Sequence, residues 1–226
     1  MRPVVLLHGF AGSYERTWRH PGMAELLADV GRTVVGIDLL GHGDAPKPHE
    51  PAAYEQLPAQ VRADIDAASP DEAVDVVAFS LGAQTVLGLA AETPDRFGRL
   101  IVAGIGARTL EVRDPELVAQ ALEAPPDPEN EVGRHFRILA DVPGNDMAAL
   151  AACLRRPHEP LSTTLLGSVS NEVVVVVGDH DELAGPGQPI VDALPHARLV
   201  TLDHTDHSGT PESFAFIDLV LDLLGP

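Results

Sequence analysis

The sequence predicts an α/β protein built on a mostly parallel, six-stranded, doubly wound sheet. Two observations carry this prediction. Six short β-type runs, at residues 3–7, 33–37, 73–78, 100–103, 172–177 and 198–202, are mostly continuously apolar rather than alternating, which marks strands buried on both faces of a parallel sheet. Helical patterns at 23–30, 57–68, 81–92, 189–194 and 212–224 lie between them. Strands alternating with helices imply right-handed crossovers that place helices on both faces. The length of 226 residues suits a single domain over 1–226 with a full core.

In sheets of this kind the functional side chains collect in loops after strand C-termini, so each run is followed to its end. The first ends in His8-Gly9-Phe10-Ala11-Gly12 and the second in Asp38-Leu39-Leu40-Gly41-His42-Gly43. The third, Val74-Asp75-Val76-Val77-Ala78-Phe79, stops at Ser80-Leu81-Gly82 and passes at once into a helical pattern. A strand, a sharp turn, a Ser and a helix make a nucleophile elbow, in which the turn strains the Ser backbone and lifts its hydroxyl clear of the sheet. Positions two before and two after the Ser must be small because strand and helix nearly touch. Gly82 meets this requirement, and Ala78 stands where Gly is usual. Taken alone, A-x-S-x-G also fits a Ser that caps a helix after a strand. The last two strands end in Gly178-Asp179-His180-Asp181 and Asp203-His204-Thr205-Asp206-His207.

Between residues 104 and 170 the strand rhythm breaks. Pro125-Pro126-Asp127-Pro128 is surrounded by helix-like pieces at 117–123, 132–140 and 146–154. A long helical insertion between two strands reads as a cap over the strand ends, and Phe136, Ile138, Leu139, Met147, Leu150 and Leu154 are the apolar residues it would lay over them. His135 and Phe136 are its substrate-contact candidates. Tyr14 and Trp18 would either line a pocket or cover the sheet edge.

Composition narrows the function classes. A net charge of −19 repels nucleic-acid backbones and anionic membranes, so neither is an expected partner. The single cysteine, Cys153, allows no intrachain disulfide and sits in an Ala-rich helical stretch that suits a buried apolar role. The opening Val4-Val5-Leu6-Leu7 is too short for a secretory h-region, and no run reaches the ~20 apolar residues of a membrane span. The expected location is the cytoplasm.

Taken together, the loops resemble the α/β-hydrolase superfamily, in its small esterase-like branch. His8-Gly9 looks like that family's oxyanion loop and Asp38 to Gly43 its D-x-x-G-H-G turn. Ala78 to Gly82 looks like its nucleophile elbow, Gly178-x-x-Asp181 its acid loop and Asp206-His207 its histidine loop. The order Ser, Asp, His is also the family's, and the resemblance implies that the chain opens on the family's third strand. It implies a catalytic set of Ser80 as nucleophile, His207 as base and Asp181 as orienting acid, with Phe10 and Leu81 N–H groups as the oxyanion hole. By the residues alone the acid is Asp179 or Asp181; the family's spacing selects Asp181. The base is His204 or His207; counting from the last strand selects His207, whereas counting back from Pro211 favours His204. His8 is expected to orient the oxyanion loop, and His42 to stabilise its turn.

The chemistry asks for these residue types. A Ser hydroxyl is a poor nucleophile without an adjacent base, His has the pKa suited to that task, and a carboxylate holds the imidazole tautomer. The expected activity is that of a carboxylesterase-like serine hydrolase, acting on a small-molecule ester through an acyl-enzyme, with no cofactor. Thioesterase, lactonase, C–C bond hydrolase and acyltransferase activities share the set. A different class, a non-catalytic ligand-binding protein on this fold, also remains. Asp179, His180, Asp181, Asp203, His204, Asp206 and His207 are dense in metal-ligand types, but a catalytic metal would leave Ser80 and the His8-Gly9 loop without purpose, so none is expected. Oligomeric state is not legible in the sequence.

Overall fold

The computed structural model describes residues 1–112, 114–125, 127, 129–157 and 160–225. Residues 126 and 128 of the proline-rich run lie outside the described residues. Six strands, β1 (Val4–Leu7), β2 (Val34–Ile37), β3 (Val74–Phe79), β4 (Phe97–Ala103), β5 (Val173–Gly178) and β6 (Ala197–Leu202), form one sheet in the order β2-β1-β3-β4-β5-β6. Every pairing is parallel.

The apolar runs have a plain physical reason. Successive side chains of a strand point to opposite faces, and each face here carries helices. On one face Val5, Leu7, Val76, Ala78, Val102, Val173 and Val175 pack against residues of α2 (Leu57–Ala68), α3 (Leu81–Glu92) and α8 (Gln188–Ala193), among them Val61, Ile65, Val86, Leu87 and Ile190. On the other, Val4, Leu6, Val77, Ile101, Val174 and Val176 meet Met23 and Leu27 of α1 (Met23–Asp29) and Phe216 and Val220 of α9 (Phe214–Leu224). Trp18 belongs to this second core, fully buried with its ring 6.3 Å from that of Phe216, so it lines no pocket.

β4 begins at Phe97, ahead of the expected residue 100. Gly98 and Arg99 interrupt the apolar run there, but the strand continues because the Arg99 N–H donates to Asp75 at 2.9 Å. Asp75, buried in β3, also pairs with Arg32 at 2.6 Å. The final helix starts at Phe214, and Thr210–Glu212 forms a separate 3-10 turn.

Among the described residues between β4 and β5 every regular element is helical: a 3-10 turn at Ala107–Leu110, then α4 (Glu116–Glu123), α5 (Glu131–Ala140), α6 (Met147–Leu154) and α7 (Thr163–Leu166). Side-chain caps start three of them. Asn130 accepts from the Gly133 N–H, Asp146 from Ala148 and Ala149, and Ser162 from Leu165. A small core of Ala119, Leu122, Ala140, Leu150 and Ala151 joins α4, α5 and α6 and packs on Phe10 and Ala11, in the loop after β1. Ile138 departs from its expected place. It lies on the outer face of α5 and is 68% exposed, while Phe136 and Leu139 turn inward. Where the chain leaves β4, the Ala107 N–H donates to the Pro186 carbonyl at 2.8 Å and the Arg108 N–H to that of Ala184 at 3.0 Å. No described helix is long and apolar enough to cross a membrane.

The strand order reverses between β1 and β3. Chains leaving these neighbours diverge and open a crevice beyond their C-terminal ends, where open α/β sheets bind ligands. The loops after β1 and β3 are those carrying His8-Gly9-Phe10 and Ser80.

Candidate active site

Ser80 occupies the turn between β3 and α3 with φ 49° and ψ −110°. A non-glycine residue held there stores on the order of 1–3 kcal/mol of strain, which the surroundings must over-determine. Two backbone bonds do so. The Ser80 N–H donates to the Ala103 carbonyl at 2.8 Å, and the Gly82 N–H to that of His8 at 3.1 Å. A Cβ on Gly82 would stand 2.6 Å from the His8 oxygen and 2.8 Å from that of Leu7, so helix and strand do touch on that side. Ala78 is fully buried within β3, between Leu7 and Val102. Its single methyl is accommodated in the core, and the elbow keeps its shape without a glycine there.

His207 lies over Ser80, with Nε2 3.1 Å from Oγ. Its Nδ1 is 2.8 Å from Oδ2 of Asp181. An ionised carboxylate only accepts, so Nδ1 carries the proton and Nε2 is left to accept from the Ser80 hydroxyl. The Asp181 side chain is fully buried, and its Oδ1 also accepts from the Ala184 N–H at 2.8 Å. The Phe79 ring packs 4.8 Å from the His207 ring. The spacing of the acid loop has a steric origin: a Cβ on Gly178 would overlap the Thr205 carbonyl, so only glycine lets the loops after β5 and β6 cross this closely.

The two alternatives lie elsewhere. Asp179 is exposed and accepts from the Thr205 N–H at 3.1 Å. His204 is exposed, holds φ 53° and stands beside His180, with ring centroids 5.9 Å apart. Asp206, in the place of a usual Gly, accepts from the Gly209 N–H at 2.8 Å and ties the turn after it.

Leu81 is the first residue of α3, so its N–H has no intrahelical acceptor. Phe10 lies within the turn closed by the Gly12 N–H on the Gly9 carbonyl at 3.1 Å. His8 fastens this loop. Its Nε2 accepts from the Leu39 N–H at 3.0 Å, so Nδ1 is the donor and meets the Gly9 carbonyl at 2.7 Å. Burial holds its pKa below the ordinary value. His42 packs next to it, with ring centroids 5.3 Å apart, and donates from Nδ1 to the Leu40 carbonyl at 2.9 Å. Burial, reinforced by neighbouring His8, pushes the His42 pKa down to about 3. Asp38 closes the same turn by accepting from the Tyr14 and Asp44 N–H groups, both at 2.7 Å. Tyr14 itself covers Gly36 on the edge strand β2.

A cavity of about 960 Å³ opens over Ser80, with Phe10, Leu81 and His207 at its base. Val132, Phe136 and Leu139 of α5 and Leu154 of α6 supply an apolar wall, and Arg108 and Glu111 also line it. Phe136 reaches the Phe10 ring edge-on at 6.0 Å. His135 is exposed and is not among the lining residues. Arg108 and Gln84 line the cavity without belonging to any motif, and no signal in the sequence singles them out. Cys153 is buried, and burial raises its thiol pKa, so it offers no reactive thiolate.

A parallel sheet with this strand order and a Ser hydrogen-bonded to a His–Asp pair at its switch point is the architecture of a hydrolase. Residues 2–127 match the family model of the alpha/beta hydrolase fold, and the chain belongs to that family. Among curated proteins it is similar to pimeloyl-[acyl-carrier protein] methyl ester esterase of Neisseria meningitidis serogroup A, with 28% identity over 98% of this chain and 78% of that protein. Among solved structures it resembles the enol-lactonase of Burkholderia xenovorans LB400, with a TM-score of 0.76 at 22% identity, covering 99% of this chain and 92% of the other. It also resembles the 2-hydroxy-6-oxo-6-phenylhexa-2,4-dienoate hydrolase of Rhodococcus sp. strain RHA1, with a TM-score of 0.73 at 23% identity, covering 99% and 90%. These two likenesses show the fold alone.

Proposed function

We propose that the protein is a serine hydrolase that cleaves a carboxylic ester of a small molecule through an acyl-enzyme. The observation that carries this reading is the continuous hydrogen-bonded chain from Ser80 through His207 to buried Asp181. In the first half-reaction His207 Nε2 takes the Ser80 proton as Oγ attacks the acyl carbonyl. Asp181 holds the ring in the required tautomer and stabilises the imidazolium. The oxyanion settles between the N–H groups of Leu81 and Phe10, each worth on the order of 3 kcal/mol to the transition state. His207 then returns the proton to the leaving alcohol. In the second half-reaction His207 draws a proton from water, which attacks the acyl carbon, and Ser80 leaves reprotonated.

The relative that spans nearly the whole chain is named for a methyl ester, and of that name we carry over the ester alone. We further propose that residues 104–170 act as a cap on a single catalytic domain, with the apolar wall from α5 and α6 selecting the acyl or alcohol group. The same residues would also open thioesters and lactones, so substrate panels rank these against p-nitrophenyl esters. A fluorophosphonate probe tests the mechanism: it should label the wild type at Ser80 and leave Ser80→Ala unlabelled. An unlabelled wild type, or undiminished labelling of Ser80→Ala, refutes the reading.

A further inference from the structure

The loops after β5 and β6 carry two sets of chemistry. In Gly178-Asp179-His180-Asp181 the last residue turns inward to His207, while Asp179 and His180 face solvent. His204, from the neighbouring loop, is exposed beside them. A carboxylate oxygen of Asp179 and one ring nitrogen from each of His180 and His204 all lie within 4.8 Å of one another. This trio has no part in the Ser80–His207–Asp181 chain.

We propose that Asp179, His180 and His204 bind a divalent transition-metal cation, best matched by Zn²⁺, which clamps the loop carrying Asp181 to the loop carrying His207. Two imidazoles and one carboxylate suit this borderline ion, with water completing a tetrahedron. Zinc–ligand distances of ~2.0–2.2 Å place donors ~3.5 Å apart around the ion. Exposed side chains reach that spacing by small rotations from their present positions.

The backbone beneath is already fixed. The His180 N–H donates to the Thr205 carbonyl at 3.1 Å and the Asp179 N–H to that of Leu202 at 3.0 Å. Asp179 Oδ1 accepts from the Thr205 N–H, and the His204 N–H also bonds the carboxylate, which orients it as hydrogen bonds to ligating carboxylates do in established sites. Little backbone ordering remains to be supplied on binding. The surrounding hollow adds Asp206 and Glu212 to its lining, and the net charge of −19 raises the local cation concentration. The three ligands come from two loops that meet only in the folded chain, so metal binding stabilises the native state by linkage.

The test uses full-length protein stripped with chelator and then titrated with ZnCl₂, followed by calorimetry and thermal unfolding. One Zn²⁺ should bind per chain, with a saturable rise in unfolding midpoint that chelator reverses. Co²⁺ in its place should give the visible absorption of a four-coordinate ion. His180→Ala and His204→Ala should each weaken binding by on the order of 10–100-fold or more, since losing even an outer hydrogen-bond partner has effects of that size. His196→Ala, an exposed histidine preceding β6 at the opposite end of the sheet, should bind as the wild type does. Only millimolar or weaker affinity in the wild type, or undiminished binding by the His180→Ala/His204→Ala double variant, overturns the proposal. The readouts do not involve esterase activity, so the outcome is separable from that of the Ser80 mechanism.

Discussion

His42 gives the fold an acid limit that is worked out from its surroundings. Its ring is fully buried. Nδ1 donates to the Leu40 carbonyl, while Nε2 is buried with no hydrogen-bond partner. Protonation would place a cation at Nε2 with nothing to accept from it and a second imidazole alongside, so the folded pKa is about 3 against an ordinary 6.5. The folded value is depressed, so below pH 6.5 the unfolded chain binds the extra proton and stability falls with pH. The contribution is fully present above ~6.5 and fades as pH drops towards the folded value. At 1.36 kcal/mol per unit, the full loss is about 5 kcal/mol, and about 2 kcal/mol of it is reached by about pH 5. Urea denaturation of wild type and His42→Gln at about pH 7.5, 6 and 5 isolates this share. The wild type should lose about 2 kcal/mol more than the variant between the first and last conditions. The variant's own stability at neutral pH is immaterial, because the slope is compared. Parallel stability–pH curves would show that His42 is not held neutral by burial and would refute the reasoning.

Two further outcomes probe the site. Asp181→Asn keeps the shape of the acid but loses the carboxylate that sets the His207 tautomer; kcat should fall by on the order of 10³–10⁴-fold, and a drop of less than tenfold in ester turnover would deny Asp181 that role. Gly82→Ala inserts a methyl where the His8 carbonyl stands 2.6 Å away; overpacking should cost ~1–3 kcal/mol in denaturation and reduce activity with it, and an unchanged midpoint with full activity would mean that the elbow has slack at that position.

Much of this architecture is legible in the chain because the relevant signals are local. The valine run of β5 announces a strand covered on both faces, and Ser80 between an apolar strand and a helical pattern announces its turn. Other features depend on contacts distant in sequence. Phe97 joins β4 although Gly98 and Arg99 break the apolar pattern, because Asp75 from β3 accepts the Arg99 N–H. Nothing local distinguishes Ile138 from Phe136 and Leu139, since the side of α5 that faces inward is set by Phe10 and the neighbouring helices. Counting along the chain leaves His204 and His207 unresolved for a similar reason. The loop after β6 turns through a left-handed residue at 204, and the direction of each ring follows from that turn rather than from spacing. Of the cavity lining, Phe136, Leu139 and Leu154 are anticipated by the apolar helical insertion, whereas Arg108 and Gln84 carry no such signal and become visible only in the folded chain.

The two backbone bonds by which Ala107 and Arg108 are stitched to Ala184 and Pro186 have a mechanical consequence. They join the root of the helical segment to the stretch just beyond Asp181, so this root moves with the acid loop as one piece. A swing of α4 and α5 to admit substrate would have to pivot further along the chain, past Leu110. Such a swing would part Phe136 from Phe10, while the stretch beyond Asp181 stays tied to residues 107 and 108; the oxyanion loop, rather than the acid loop, is the part of the site that would feel it.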